Sequence, residues 1–325
     1  MNARSAPVAA DGGVTVWSAA IAAPFVGWPA YLVSRGELRW ELALAVFFGA
    51  VLPFLGPGAR RLHGGILPVL LVGLLYDSMR FVKNVGITPE RVHTCDLQRL
   101  DATLFGYRAA DGPHTIHDYF QARPSLPLDV FFAIPYGVFL GAAVLFALFL
   151  YFRDYGKMQR FMWAFLAMNV AGFVTYHLYP AAPPWYVHQH GCVADLAARA
   201  SEGPNLARVD AWLGFPYFRG FYGRSNDVFG AVPSLHVGYP VLIALEGWTA
   251  FRSSSKPVTW FWRAAASAFV LWMAGAAVYL DHHWVVDVAL GVLYAACANL
   301  ALRFVRVRKA TPEAERAPLP AAGVS

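Results

Sequence analysis

Apolar runs long enough to cross a lipid bilayer dominate this chain and leave it few ways to fold. A helix needs about 20 apolar residues to span the hydrocarbon core. Eight stretches approach that length: 14–34, 41–57, 65–82, 128–152, 160–179, 232–251, 258–280 and 284–304. The second is short and carries Pro53 and Gly56, both poor inside a helix. Only 14% of the residues are charged and the mean hydropathy is +0.44, whereas a soluble domain is about a quarter charged. The expected fold class is all-α: a polytopic membrane protein of about eight transmembrane helices, each satisfying its own backbone.

The runs set the expected organisation. Residues 1–60 carry an N-terminal tail and two accessory helices, 61–309 form a six-helix catalytic core, and 310–325 are a Pro-, Ala- and charge-rich tail expected to be disordered. The first run is too long for the apolar part of a signal peptide and reads as a retained span. There is no internal repeat and no soluble domain.

Short loops set the orientation. Arg60 and Arg61 join spans two and three; Arg153, Lys157 and Arg160 join four and five; Arg252 and Lys256 join six and seven; Arg303, Arg306, Arg308 and Lys309 follow span eight. Eight spans put all four clusters on one side together with both termini, and the positive-inside rule makes that side cytoplasmic. The long segments 83–127 and 180–231 then face the extracytoplasmic side of a plasma or inner membrane. The formal charge of +6 belongs to these loops and to headgroup contacts. No basic run interleaved with aromatics points to nucleic acid. Of the three cysteines, Cys95 and Cys192 fall one in each long segment; a disulfide between them and two unrelated thiols are equally open. Cys297 reads as packing within span eight.

Two polar islands interrupt the apolar sequence, GAVPSLHVGYP at 230–240 and YLDHHWVVDVALG at 279–291. Ionisable groups at a membrane are costly and need a reason. His283 and Asp287 are four apart, on one helix face. Asp287 is placed to orient one imidazole nitrogen of His283 and leave the other as a nucleophile toward phosphorus. His236 follows Pro233 and Ser234 at a helix start, where free N–H groups suit phosphate oxygens, and can serve as acid and base. Ser234 is a further phosphate donor. Arg80, Lys83, Arg219 and Arg224 are candidate phosphate-binding cations. His282 reads as a cap or headgroup contact, Asp281 as solvated, and His177 as packed. Asp77 with Arg80 reads as an ion pair, and Glu246 as a partner for another helix. Trp185 and Tyr186 read as aromatic-belt residues or as part of a substrate entrance. Zinc at His236, His282, His283 and Asp287 is disfavoured because adjacent histidines on a helix project apart; no metal or cofactor is required.

PSLH followed by HxxxD resembles the paired motifs of the phosphatidate phosphatase type 2 superfamily. FGAVPSLHVG, YLDHHWVVD, LYPAAPPWY at 178–186 and LPLDVFFAIPYG at span four resemble its inositol phosphorylceramide synthase branch. The resemblance covers about residues 76–300 and implies His283 as nucleophile, Asp287 as its partner and His236 as acid/base. Superfamily phosphatases carry an Arg where this chain has Ala277, a Gly where it has Leu235, and a Lys-x6-Arg-Pro stretch that is missing here. These departures favour a transferase moving a phospho-headgroup such as phosphoinositol from a glycerophospholipid to a lipid hydroxyl such as that of ceramide. The alternative is a phosphatase acting on phosphatidate or isoprenyl diphosphate at the same site. A transporter or lipid-binding protein, with no covalent step, is the reading from another class.

Overall fold

The computed structural model describes residues 12–39, 41–223, 225, 227–251 and 255–304; Arg224 and the tail at 310–325 lie outside them. The described chain is mostly helical and divides into two compact units, one formed by the chain up to Leu74 and the other by Leu75–Val305.

The first unit holds α1 (Gly12–Ser34), α2 (Glu41–Val46) and the start of α3 (Pro57–Val82). The second expected span is not one continuous helix. After Val46 it widens into a π turn, Phe47–Val51, then tightens into a 3-10 turn, Leu52–Phe54. Pro53 cannot donate the next α-helical bond, and Gly49 takes the Phe25 ring where a Cβ would stand.

The second unit contains α4 (Cys95–Phe105), a small hairpin of β1 (Tyr107–Ala109) and β2 (Gly112–His114), and α5 (Ile116–Gln121). The long helices α6 (Leu126–Arg153) and α7 (Tyr155–Leu178) follow, then the short α8 (Pro184–His190), α9 (Gly203–Leu213) and α10 (Tyr217–Tyr222). It closes with α11 (Leu235–Ala250), α12 (Lys256–Tyr279) and α13 (Val285–Phe304). Six of the helices α1 to α13 are long and apolar enough to cross a membrane: α1, α3, α6, α7, α12 and α13. The sixth expected span, α11, has 16 residues. It starts only after the polar Pro-Ser pair, so at 1.5 Å per residue it covers about 24 Å.

Despite its length α11 is the hub, packed against α6, α7, α12 and α13. Lipid offers little apolar driving force between helices, so close approach depends on small residues and polar contacts. Gly172 of α7 faces Leu235, Gly238 of α11 faces Met168, and Gly291 of α13 faces the Ser234 carbonyl. Glu246, fully buried on α11, receives Arg160 of α7 at 2.6 Å, and Tyr239 donates to Asn169 at 2.7 Å.

The two long segments fold over one end of these helices. Cys95 and Cys192 are joined by a disulfide that spans 97 residues, which resolves the open alternative. Closing a loop of this size removes about 4–5 kcal/mol of denatured-state freedom in the chain-entropy view. Replacing both cysteines by serine is expected to lower Tm measurably, and dithiothreitol should do the same to the parent but not to the double variant. Equal Tm values for parent and variant would mean that the bond adds no stability.

Candidate active site

The site grows out of three extended strands of backbone. Ala181 of the YPAAPPWY stretch bridges His93 on one side and Gly230 on the other, in parallel. The Ala181 N–H donates to the Phe229 carbonyl at 2.7 Å, and the Ala231 N–H donates to the Ala181 carbonyl at 3.1 Å. The Trp284 indole N–H reaches Ala182 at 3.0 Å. Trp185 and Tyr186 are therefore buried inside this layer, not part of an aromatic belt. Pairing fixes the direction of the next carbonyl, that of Ala231.

That carbonyl meets His283. Its distance to Nδ1 is 2.9 Å. A carbonyl only accepts, so the proton sits on Nδ1 and leaves Nε2 as a bare lone pair. The Nε2 atom in turn lies 2.9 Å from Nδ1 of His236, whose N–H donates to it. Burial pushes the His283 imidazole down to about 4, with the Ala231 hydrogen bond opposing that shift. The ring is therefore neutral at pH 7. His236 stacks on Tyr136 at 4.6 Å and touches Phe139 and Tyr222.

Asp287 is fully buried at the third position of α13. Its carboxylate accepts from the Trp284 N–H at 2.8 Å, half of a capping box, and lies 3.8 Å from His283 Nδ1. This is beyond hydrogen-bond range, so the direct bond expected from the i,i+4 spacing is taken by Ala231 instead. Asp287 holds the start of α13, two residues after His283. Asp101 of α4, also fully buried, accepts from the Val285 N–H at 2.8 Å and completes the cap. Ser234 is buried and caps α11, its hydroxyl accepting from the Val237 N–H at 3.4 Å. Its own N–H donates to the Asp287 carbonyl at 3.0 Å, tying the two islands together.

Thus the structure gathers His236, His283, Asp287 and Ser234. The cations are distributed more widely. Arg80 is held by Asp77 at 3.2 Å. Lys83 lies near Asp227, whose carboxyl burial pushes up to about 6 while the Phe229 N–H and Lys83 oppose the shift. Arg219 is exposed on α10, three residues from Tyr222. Arg224 is outside the described residues. His282 is buried and donates to the Glu202 carbonyl at 2.8 Å, so it makes no headgroup contact.

Asp281, expected to be solvated, is fully buried. It has φ 68°, the one positive φ among the described non-glycine residues. It closes α12: its N–H donates to Val278 at 3.1 Å and the His282 N–H donates to Ala277 at 3.2 Å. This is the Schellman pairing that glycine usually serves. A left-handed residue with a Cβ costs roughly 1–2 kcal/mol. Ala231, Asp101, Tyr136 and Tyr222 escape sequence reasoning because a backbone carbonyl, a lone side chain in a long segment or one aromatic among many in a span carries no spacing signal. Among the described residues no three His, Cys, Asp or Glu side chains stand as a metal-holding group.

Apolar helices gathering paired imidazoles and a buried carboxylate at one polar end make an integral membrane enzyme. The chain belongs to the PAP2 superfamily, whose family model matches residues 96–301. It is 34% identical to the phosphoinositol dihydroceramide synthase of Bacteroides thetaiotaomicron, over 82% of this chain and 84% of that one. It is 36% identical to the inositol phosphorylceramide synthase catalytic subunit of Schizosaccharomyces pombe over 74% of this chain, and 30% identical to that of Saccharomyces cerevisiae over 80%. The chain spans 53% and 61% of these two fungal proteins. No solved structure matches it.

Proposed function

We propose that this protein is a lipid phosphotransferase that moves a phosphoinositol-type headgroup from a glycerophospholipid to the hydroxyl of an acceptor lipid such as ceramide. The observation that carries the reading is the 2.9 Å approach of His236 Nδ1 to His283 Nε2, with the far nitrogen of His283 already committed to Ala231. A donor phosphate entering between the two rings meets a lone pair on one side and an N–H on the other. His283 Nε2 bonds to phosphorus, the bond from phosphorus to the diacylglycerol oxygen breaks, and that oxygen takes a proton from His236. In the second half His236 accepts the proton of the acceptor hydroxyl, whose oxygen bonds to phosphorus as the bond to Nε2 breaks. Asp287 favours the positive charge that builds on His283. Arg80, Lys83, Arg219 and Arg224 are the cations proposed to meet the headgroup phosphate, with Ser234 shaping the helix start beside it.

The names of the relatives support the substrate class, since one is named a phosphoinositol dihydroceramide synthase and two are named catalytic subunits of inositol phosphorylceramide synthase. The Cys95–Cys192 disulfide supports an extracytoplasmic site, because such bonds persist in oxidising compartments. Residues 61–309 remain our proposed catalytic core, with both termini cytoplasmic.

The test uses purified protein with labelled ceramide, given phosphatidylinositol in one reaction and phosphatidate alone in another. A phosphorylated ceramide that requires phosphatidylinositol is the expected product. Free phosphate from phosphatidate with no transfer product would sink the transferase reading and leave a phosphatase. The pH profile is a second check. His283 loses its lone pair only on protonation, so kcat/KM should stay level from neutrality to about pH 5 and fall as pH drops through about 4. An acid limb centred near 6.5 would place His283 in water, against the buried geometry.

A further inference from the structure

Asp281 sits two residues before His283 in a conformation that most residues avoid, and its side chain is engaged on both oxygens. Nδ1 of His117 donates to one at 3.1 Å, and Nδ1 of His188 donates to the other at 2.7 Å. His117 and Asp281 are both fully buried. The second nitrogen of His188 lies 3.0 Å from Asp118. Both nitrogens of His188 therefore face carboxylates, and carboxylates only accept, so His188 is an imidazolium. The same two acceptors raise its pKa to about 10, against the effect of burial. Asp118 is locked in turn, by the capping box with Thr115 at the start of α5. The Asp281 carbonyl receives the Trp185 N–H at 2.8 Å. The turn between α12 and α13 is thus held from three sides, by α5, by α8 through its first residues, and by α12 itself.

The turn leads directly into the reacting group. The N–H groups of His282 and His283 both point back to the Ala277 carbonyl, at 3.2 and 3.0 Å, an arrangement available only while residue 281 keeps a left-handed backbone. Glycine would adopt this backbone without strain, yet the position carries a carboxylate gripped by two imidazoles.

We propose that Asp281 is a positioning residue for catalysis, its carboxylate clamped by His117 and His188 so that the turn presents His283 Nε2 to His236. This rests on the reading of His283 as nucleophile. The clamp also ties the site to both long segments: His117 and Asp118 come from one and His188 from the other.

The test compares Asp281→Gly, Asp281→Asn and His188→Gln with the parent and with His283→Ala, in the full-length protein. Kinetics and Tm are measured on each. Glycine keeps the left-handed turn without strain and removes the clamp, so Asp281→Gly should stay folded while kcat drops about 10- to 100-fold and KM changes less than about twofold. Asp281→Asn and His188→Gln should lose kcat in the same direction. A purely architectural role predicts something else: kcat per folded molecule at the parental value, with loss of activity tracking loss of Tm. Parental kcat in Asp281→Gly would overturn the proposal, and so would loss of kcat only in proportion to unfolding. Should His283→Ala turn over like the parent, the nucleophile reading itself fails. His283→Ala dead beside a parental Asp281→Gly rejects the clamp alone.

Discussion

His283→Ala is expected to lower transfer by at least about a thousandfold, or roughly 4 kcal/mol of barrier at 1.36 kcal/mol per decade. The size reflects the role: without Nε2 no bond to phosphorus forms, and only binding and the surrounding dipoles remain. Removing His236 should cost less, about 10²–10⁴-fold, because acid–base help is lost while the nucleophile survives. The two variants also differ in what accumulates. Labelled donor should leave a phosphorylated enzyme in the parent and, more slowly, in His236→Ala, and none in His283→Ala. His283→Ala leaves the Ala231 carbonyl without its partner, a cost of about 1–3 kcal/mol, so its Tm must be measured beside its rate. Label retained on His283→Ala would refute the covalent step.

The second large effect comes from a residue that touches no substrate. Gly291 lies one turn after Asp287 on α13, and a Cβ there would sit inside the carbonyl oxygen of Ser234. The obstacle is backbone, so nothing flexible can yield. Gly291→Ala should push the first turn of α11 away from α13 and break the hydrogen bond from the Ser234 N–H to Asp287. His236 rides on that turn, and His283 lies two residues before α13. A displacement near 1 Å between reacting groups costs about a hundredfold in rate, and overpacking adds about 1–3 kcal/mol of destabilisation. Gly141→Ala is the control: α6 offers nothing within 4 Å of a Cβ at that position, and alanine favours the helix by up to about 1 kcal/mol. Kinetics and Tm of the pair should separate cleanly. Parental kcat in Gly291→Ala would show that the two islands tolerate independent movement.

The spans were legible because the bilayer imposes a length and a composition that no other fold demands. The 41–57 run was misleading, since composition could not register a helix that widens and then tightens around Pro53. The pairing of His236 with His283 could be inferred from two motifs at the same end of neighbouring spans. Asp287 lies 3.8 Å from His283, but His283 precedes α13 and does not share its face, and another acceptor, the carbonyl of Ala231, lies nearer to Nδ1.

Asp281 marks the limit most clearly. An aspartate beside two histidines at a helix end reads as solvated, because nothing nearby in the chain can neutralise it. Its partners, His117 and His188, stand 164 and 93 residues away and meet it only after the disulfide-linked segments close over the helices. By itself the sequence determined the solvent, the number of apolar runs and the residue types of the chemistry, since periodicity and transfer energy are local properties. The tertiary structure alone decided which carbonyl sets the tautomer of His283, which glycine lets two helices touch and which histidines hold Asp281, because each is a contact between residues whose separation along the chain carries no information about their distance in space.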